Sequence, residues 1–209
     1  QRQMCIRDRA SSRLPGKVLR DIVGKPMLIH VVETARKSHA RKIWVATDSK
    51  TIAIICKQFD VPYIMTSPTH QSGTDRLAQA AKILNLPDET IVINLQGDEP
   101  AINPTLLDDL ASALANTTAA AATIAHPITQ QEDLHNPNVV KTVLNAKNEA
   151  LYFSRSLIPY MRSKGIQLPV LRHIRMYAYR AHLLKRYTQL QVSPLEPVTY
   201  THLTLPTSD

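Results

Sequence analysis

Two rhythms alternate along the first half of this 209-residue chain, and that alternation restricts its fold more than any other feature. From Pro26 onward, Met27, Leu28, Val31, Val32 and Ala35 recur at the spacing of one helix face, and Ile43-Trp44-Val45-Ala46 follows as a short buried strand. The pair then repeats. A helical stretch from Ile52 to Phe59 precedes Tyr63-Ile64-Met65, and Leu77, Ala80, Ala81 and Leu84 share a helix face ahead of Ile91-Val92-Ile93-Asn94-Leu95. Asn103 and Pro104 read as the cap and first residue of a further helix carrying Leu106, Leu107, Leu110 and Leu114. Helices alternating with short, mostly apolar strands predict an α/β fold: a mostly parallel sheet in a three-layer arrangement.

Past residue 119 the strands shorten and their connections loosen, at Ala121 to Ala125, Val139 to Leu144, Ala150 to Phe153 and Ile174 to Tyr179. This half is expected to build a mixed sheet edge and a smaller substrate lid, closed by a helix over Ala181 to Leu190. Both ends break the rhythm. Gln1 to Arg9 and Tyr200 to Asp209 resemble translated sequencing-adapter read-through, so residues 1–9 and 200–209 are expected to be non-native, leaving a single domain over 10–199 cut at both ends.

A net charge of +8 and a pI near 9.6 would suit a nucleic-acid partner, but the basic residues are scattered and aromatics make up only 5%. No stretch interleaves cations with stacking rings, so a small anionic substrate is the better expectation, with no nucleic acid and no membrane as partners. No apolar run approaches the roughly 20 residues a membrane span needs. Cys5 and Cys56 lie far apart without further Cys or His at metal-ligand spacing, which argues against a disulfide framework or a zinc site and fits a cytoplasmic protein.

The chemistry concentrates around glycines. Only five occur, and four mark short polar motifs: Gly16 in Ser12-Arg13-Leu14-Pro15-Gly16-Lys17, Gly24 before Lys25-Pro26, Gly73 in His70-Gln71-Ser72-Gly73-Thr74-Asp75-Arg76, and Gly97 in Gln96-Gly97-Asp98-Glu99-Pro100. The first reads as a phosphate grip, in which a stiff Pro and a permissive Gly let Arg13 and Lys17 converge on one anion. Taken alone it is equally a solvated basic loop. Asp98 follows a five-residue apolar strand, where a carboxylate can hold Mg²⁺ against substrate phosphates; an aspartate capping a turn is the plainer alternative. Ser72-Gly73-Thr74 opens a helix whose first N–H groups can meet a base edge or an anion, Thr74 being the expected cap. On the strand 172–179, period two puts His173, Arg175, Tyr177 and Tyr179 on a polar face and Ile174, Met176 and Ala178 on a core face.

Together with Ala46-Thr47-Asp48, Asn136-Pro137-Asn138 followed by Val140-Lys141, Leu151-Tyr152-Phe153-Ser154-Arg155, Arg172-His173 and Ser193-Pro194-Leu195-Glu196, these motifs resemble the cytidylyltransferases that activate 3-deoxy-D-manno-octulosonate (Kdo), from about Ala10 to Glu196. The resemblance implies a Rossmann-like nucleotidyltransferase fold, CTP and Kdo as substrates, CMP-Kdo and pyrophosphate as products, and a homodimer. It implies that Ser12, Arg13, Gly16 and Lys17 bind the triphosphate, with Lys17 and Asp98 catalytic and Asp98 the Mg²⁺ ligand. Ser72, Gly73, Thr74 and Arg76 would complete the nucleotide site, and Gln96, Arg155, His173, Tyr177 and Glu196 the sugar-acid pocket.

Three departures from the family pattern bear on activity. Asp8 stands where a phosphate-binding arginine is expected, Arg175 replaces a usual glycine, and the second metal-binding aspartate that follows Glu196 in the family is absent. The 209-residue chain is therefore expected to be inactive or nearly so. The alternatives are a cytidylyltransferase for another acidic sugar such as sialic acid, and a non-catalytic nucleotide-binding remnant.

Overall fold

The computed structural model describes residues 2–7, 16–70, 72–162 and 168–190, and there the alternation becomes structure nearly element for element. In chain order come β1 (Arg2–Arg7), a hairpin of β2 (Asp21–Ile22) and β3 (Lys25–Pro26), α1 (Met27–Arg36), β4 (Lys42–Thr47), α2 (Lys50–Gln58) and β5 (Tyr63–Met65). Then follow α3 (Gly73–Ile83), β6 (Ile91–Gln96), α4 (Pro104–Ala115), β7 (Ala121–Pro127), α5 (Gln131–His135), β8 (Lys141–Leu144), β9 (Ala150–Ser154), β10 (Leu171–Arg180) and α6 (Ala181–Tyr187). They gather into two compact units: residues up to Ala122 with Met176–Gln189, and Thr123–Arg175.

The sheet of the first unit runs β5-β4-β1-β6, all parallel, and ends on the Tyr177–Arg180 half of β10, which is antiparallel to β6. Right-handed crossovers require α1 and α2 on one face and α3 on the other. The packing agrees: α4 lies on α1, and α6 lies on α3. Met4, Ile6, Leu28, Ile52, Leu77, Ile93, Leu95, Leu107 and Leu114 are fully buried and make up the core. Asn103 caps α4 as expected, its side chain accepting from the Thr105 N–H at 3.0 Å.

One reading of the pattern is corrected here over Arg2–Arg7 alone. The first residues do not interrupt the pattern over Arg2–Arg7, which forms the central strand, paired to β4 through Ile6 opposite Val45 and to β6 through Ile6 opposite Leu95. Met4-Cys5-Ile6 is a three-residue apolar run, short enough to be hidden among Arg2, Gln3 and Arg7, yet its burial is nearly complete.

In the second unit β8 pairs antiparallel with β9 and with Leu171–Arg172 of β10, the mixed edge that the looser sequence predicts.

Arg180 ties the first unit's last strand to the end of α4. Its guanidinium donates to the carbonyls of Ala119 (3.0 Å), Leu114 (3.1 Å) and Thr117 (2.7 Å), and pairs with Glu89 at 2.7 Å. Those carbonyls include the orphan acceptors at a helix end, which otherwise need water or a cap. Arg180→Met is therefore expected to lower the unfolding free energy by about 1–2 kcal/mol, because a side chain only 13% exposed loses its charge-assisted bonds while the exposed Ala119 and Thr117 carbonyls turn to water and Leu114 keeps the Thr117 donors. Urea denaturation measures this, and a loss below about 0.5 kcal/mol would contradict it.

Candidate active site

In the first unit the chain passes from β1 through α1 to β4 on one side and later returns through α3 to β6 on the other side of β1. The strand order thus reverses between β1 and β6, and ligands of open α/β sheets gather outside the carboxyl ends of the strands at such a point. Lys17 and Asp98 meet there. Lys17 Nζ donates to Asp98 Oδ2 at 2.9 Å, across 81 residues of sequence.

Each partner is held by local structure. Gly16 takes the left-handed conformation (φ +70°) that opens a single 3-10 turn over Lys17–Leu19, and buried Val18 anchors that turn. Asp98 lies in the tight turn after β6, where the Glu99 N–H donates to the Gln96 carbonyl at 3.3 Å and Thr34 of α1 donates to the Pro100 carbonyl at 3.3 Å. The side chains of Lys17 and Asp98 remain 37% and 36% exposed. An ion pair so wetted is worth about 0–1 kcal/mol, so an incoming anion can draw Lys17 away at small cost.

The second group lies at the ends of β4 and β5. Ser72, not Thr74, caps α3: its hydroxyl accepts from the Asp75 N–H at 3.1 Å, and Asp75 in return accepts from the Ser72 N–H at 2.9 Å. Ser and Asp three apart form this reciprocal box, which outcompetes an isolated Thr. Arg76 is buried, donating to Thr66 Oγ1 at 2.5 Å and to Asp48 Oδ2 at 2.7 Å. Gln79 Oε1 accepts from the Ser67 N–H at 2.7 Å and lies 2.6 Å from His70 Nε2. The turn that carries Ser72, Gly73 and Thr74 is therefore braced on both flanks. Asp48, Thr66 and Gln79 were not singled out as site residues, because no local spacing links them to Arg76 or His70; only Asp48, one residue past a strand, offered a signal.

In the second unit His173 is buried rather than on an open polar face. Its ring meets Phe153 edge-on at 4.7 Å between centroids, and Nε2 lies 2.9 Å from Thr123 Oγ1. The Thr123 hydroxyl donates to the Ile174 carbonyl at 3.2 Å, so it accepts from the ring, which places the imidazole proton on Nε2. Burial first, and the Arg175 charge second, push the His173 pKa down to about 4. An unfolded histidine titrates near 6.5, so between these values the unfolded chain holds the extra proton. The stability His173 contributes is whole above pH 6.5 and is lost as the pH falls toward 4, at most roughly 3 kcal/mol. An NMR titration should find the ring neutral to near pH 4, and a midpoint near 6.5 would refute its burial.

Arg155, at the end of β9, donates from Nη1 to the Pro137 carbonyl at 2.8 Å. In the first unit Gln96 ends β6, and the Tyr177 ring stacks on Tyr179 at 5.6 Å. Arg175 is exposed. Ser12, Arg13, Asp8 and Glu196 lie outside the described residues. The site thus brings Lys17 to Asp98, and Ser72, Gly73, Thr74 and Arg76 into one braced turn. No group of three or more metal-ligating side chains occurs among the described residues.

With this geometry in hand, comparison with known proteins is specific. Residues 9–201 match a family model described as cytidylyltransferase. The chain is 48% identical over 196 residues to 3-deoxy-manno-octulosonate cytidylyltransferase of Neisseria meningitidis serogroup A, covering 90% of this chain and 78% of that protein. The enzyme of the same name from Nitrosococcus oceani is also 48% identical over 196 residues, covering 89% and 76%. A solved CMP:2-keto-3-deoxy-manno-octonic acid synthetase, complexed with CTP, superposes with a TM-score of 0.88 at 40% identity, over 96% of this chain and 83% of that one. A 4-diphosphocytidyl-2C-methyl-D-erythritol synthase, at 12% identity and a TM-score of 0.59 over 96% and 85%, shares the fold.

Proposed function

We propose that this chain, which belongs to the 3-deoxy-manno-octulosonate cytidylyltransferase family, transfers CMP from CTP to Kdo and releases pyrophosphate. The observation that carries the reading is the Lys17–Asp98 pair at the strand reversal, where a cation for phosphates and a carboxylate for a metal stand 2.9 Å apart.

In this reading the anomeric hydroxyl of Kdo attacks the α-phosphorus of CTP. A new oxygen–phosphorus bond forms, the bond to the bridging oxygen of pyrophosphate breaks, and the hydroxyl proton leaves to solvent. Lys17 exchanges Asp98 for the triphosphate, while the braced Ser72-Gly73-Thr74 turn receives the cytosine. Arg155 offers a planar fork suited to the sugar carboxylate, and neutral His173 with Tyr177, Gln96 and Glu196 serves the sugar-acid pocket. The donor set fits magnesium, since this ion commonly takes one or two carboxylates and completes its shell from water and substrate phosphates. Asp98 would hold it. When bound, the ion supplies charge neutralisation on the phosphates.

The partners of this reading are CTP, Kdo and a second copy of the chain. No helix among the described residues is long and apolar enough to cross a membrane, and two buried cysteines suit a reducing cytoplasm. Asp8 and Arg175 are expected to hold the rate of this chain low, so incubation with CTP, Kdo and Mg²⁺ should yield CMP-Kdo and pyrophosphate slowly and in equal amounts, yet more readily than sialic acid yields its conjugate. Absence of product together with absence of saturable CTP binding would overturn the assignment.

A further inference from the structure

Lys141 is the largest fully buried side chain among the described residues, and no step above uses it. A lysine in that position is costly, because burial disfavours its charge and an apolar side chain of similar length would pack there without that penalty. Its partners are main-chain oxygens: Nζ donates to the Asn136 carbonyl at 2.8 Å and to the Arg155 carbonyl at 3.3 Å. Desolvation lowers its pKa while the charge of Asp133 acts the other way. The Asn136 side chain in turn accepts from the Asn138 N–H at 2.9 Å, and Arg155 Nη1 reaches the Pro137 carbonyl between them. Lys141 lies directly opposite Ser154 in the β8–β9 ladder, one residue before Arg155.

Both ends of Arg155 are thus referenced to one ammonium group. Its backbone is held directly, and its guanidinium rests on the 136–138 loop that the same ammonium anchors. We propose that Lys141 is a positioning residue that sets the Arg155 fork in register for the carboxylate of the sugar acid, an inference resting on the assignment of Arg155 to that carboxylate. A two-pronged contact loses most of its worth when displaced by about 1 Å, so a buried brace at its base governs affinity for the sugar and not for CTP.

The test is equilibrium binding of Kdo and of CTP, each by calorimetry, to the unsubstituted chain, to Lys141→Met, Lys141→Arg and Arg155→Ala, and to the double variant Lys141→Met with Arg155→Ala, with melting curves for all five. Lys141→Met is expected to weaken Kdo binding at least ten-fold while CTP affinity stays within two-fold, and Lys141→Met combined with Arg155→Ala should bind Kdo no worse than Arg155→Ala alone. Equal losses for both ligands, or additive losses in the double variant, would overturn the proposal in favour of a purely structural lysine. Should Lys141→Met not fold, Lys141→Arg decides: it keeps the charge but moves the donors, so unchanged Kdo affinity refutes positioning and a selective loss of several-fold supports it. Unaltered Kdo binding by Arg155→Ala would instead remove the underlying assignment, and the role of Lys141 with it.

Discussion

Replacing Asp98 by Asn should reduce CMP-Kdo formation by on the order of 10²–10³-fold, the usual cost of removing one group that stabilises charge as it develops in a transition state. The fold should barely notice. The Lys17–Asp98 pair is a third exposed on both sides, so its loss is worth no more than about 1 kcal/mol, and the backbone of the turn after β6 is held by main-chain and Thr34 hydrogen bonds that Asn leaves intact. A second readout separates metal binding from turn capping. In the parent chain Mg²⁺ should tighten CTP binding, whereas in Asp98→Asn the affinities with and without Mg²⁺ should converge. An aspartate that merely capped its turn would give the opposite result: a lowered melting temperature, and Mg²⁺-dependent CTP binding as in the parent.

The reasons this pair was legible in the sequence also explain where legibility ended. Asp98 follows Ile91–Gln96, a strand so apolar that its end could be placed within one residue, and Gly16 marks the turn that presents Lys17. Each signal is local, and the α/β rhythm supplies the rule that brings strand ends together. β1 escaped because its apolar centre is only Met4-Cys5-Ile6, and its central place comes from two neighbouring strands that no local window contains. The cap of α3 was misplaced by two residues because Ser72 and Asp75 act as a pair while Thr74 is attractive singly. His173 was put on a polar face by period two, yet Phe153 and Thr123 cover it, contacts 20 and 50 residues away. Lys141 is the extreme case. Lysine is ordinarily a surface residue, and nothing short of the β8–β9 pairing reveals that its ammonium serves two carbonyls inside.

Arg76→Met should destabilise the first unit by roughly 2–4 kcal/mol and weaken CTP binding more than it alters Kdo binding. The guanidinium joins Asp48 after β4 and Thr66 after β5 to the first turn of α3, and its side chain is only 8% exposed. Methionine fills the space of its stem but strands the buried Thr66 hydroxyl and leaves Asp48, 29% exposed, without its cation. Removing one member of a fully buried pair costs about 3–5 kcal/mol, and the partial wetting of Asp48 brings the expectation below that range. Arg76→Met with Asp48→Asn should then be less destabilising than the sum of the two single changes, because the stranded carboxylate is gone. The binding result decides whether Arg76 serves the nucleotide site, to which the family resemblance assigns it, by direct contact or through the turn. Were Arg76 a direct ligand of the nucleotide, Asp48→Asn would leave CTP affinity intact, since the arginine would still be present. If Arg76 acts by holding the Ser72–Thr74 turn against the strand ends, Asp48→Asn should weaken CTP binding in the same direction as Arg76→Met, and the smaller loss should track the smaller change in melting temperature.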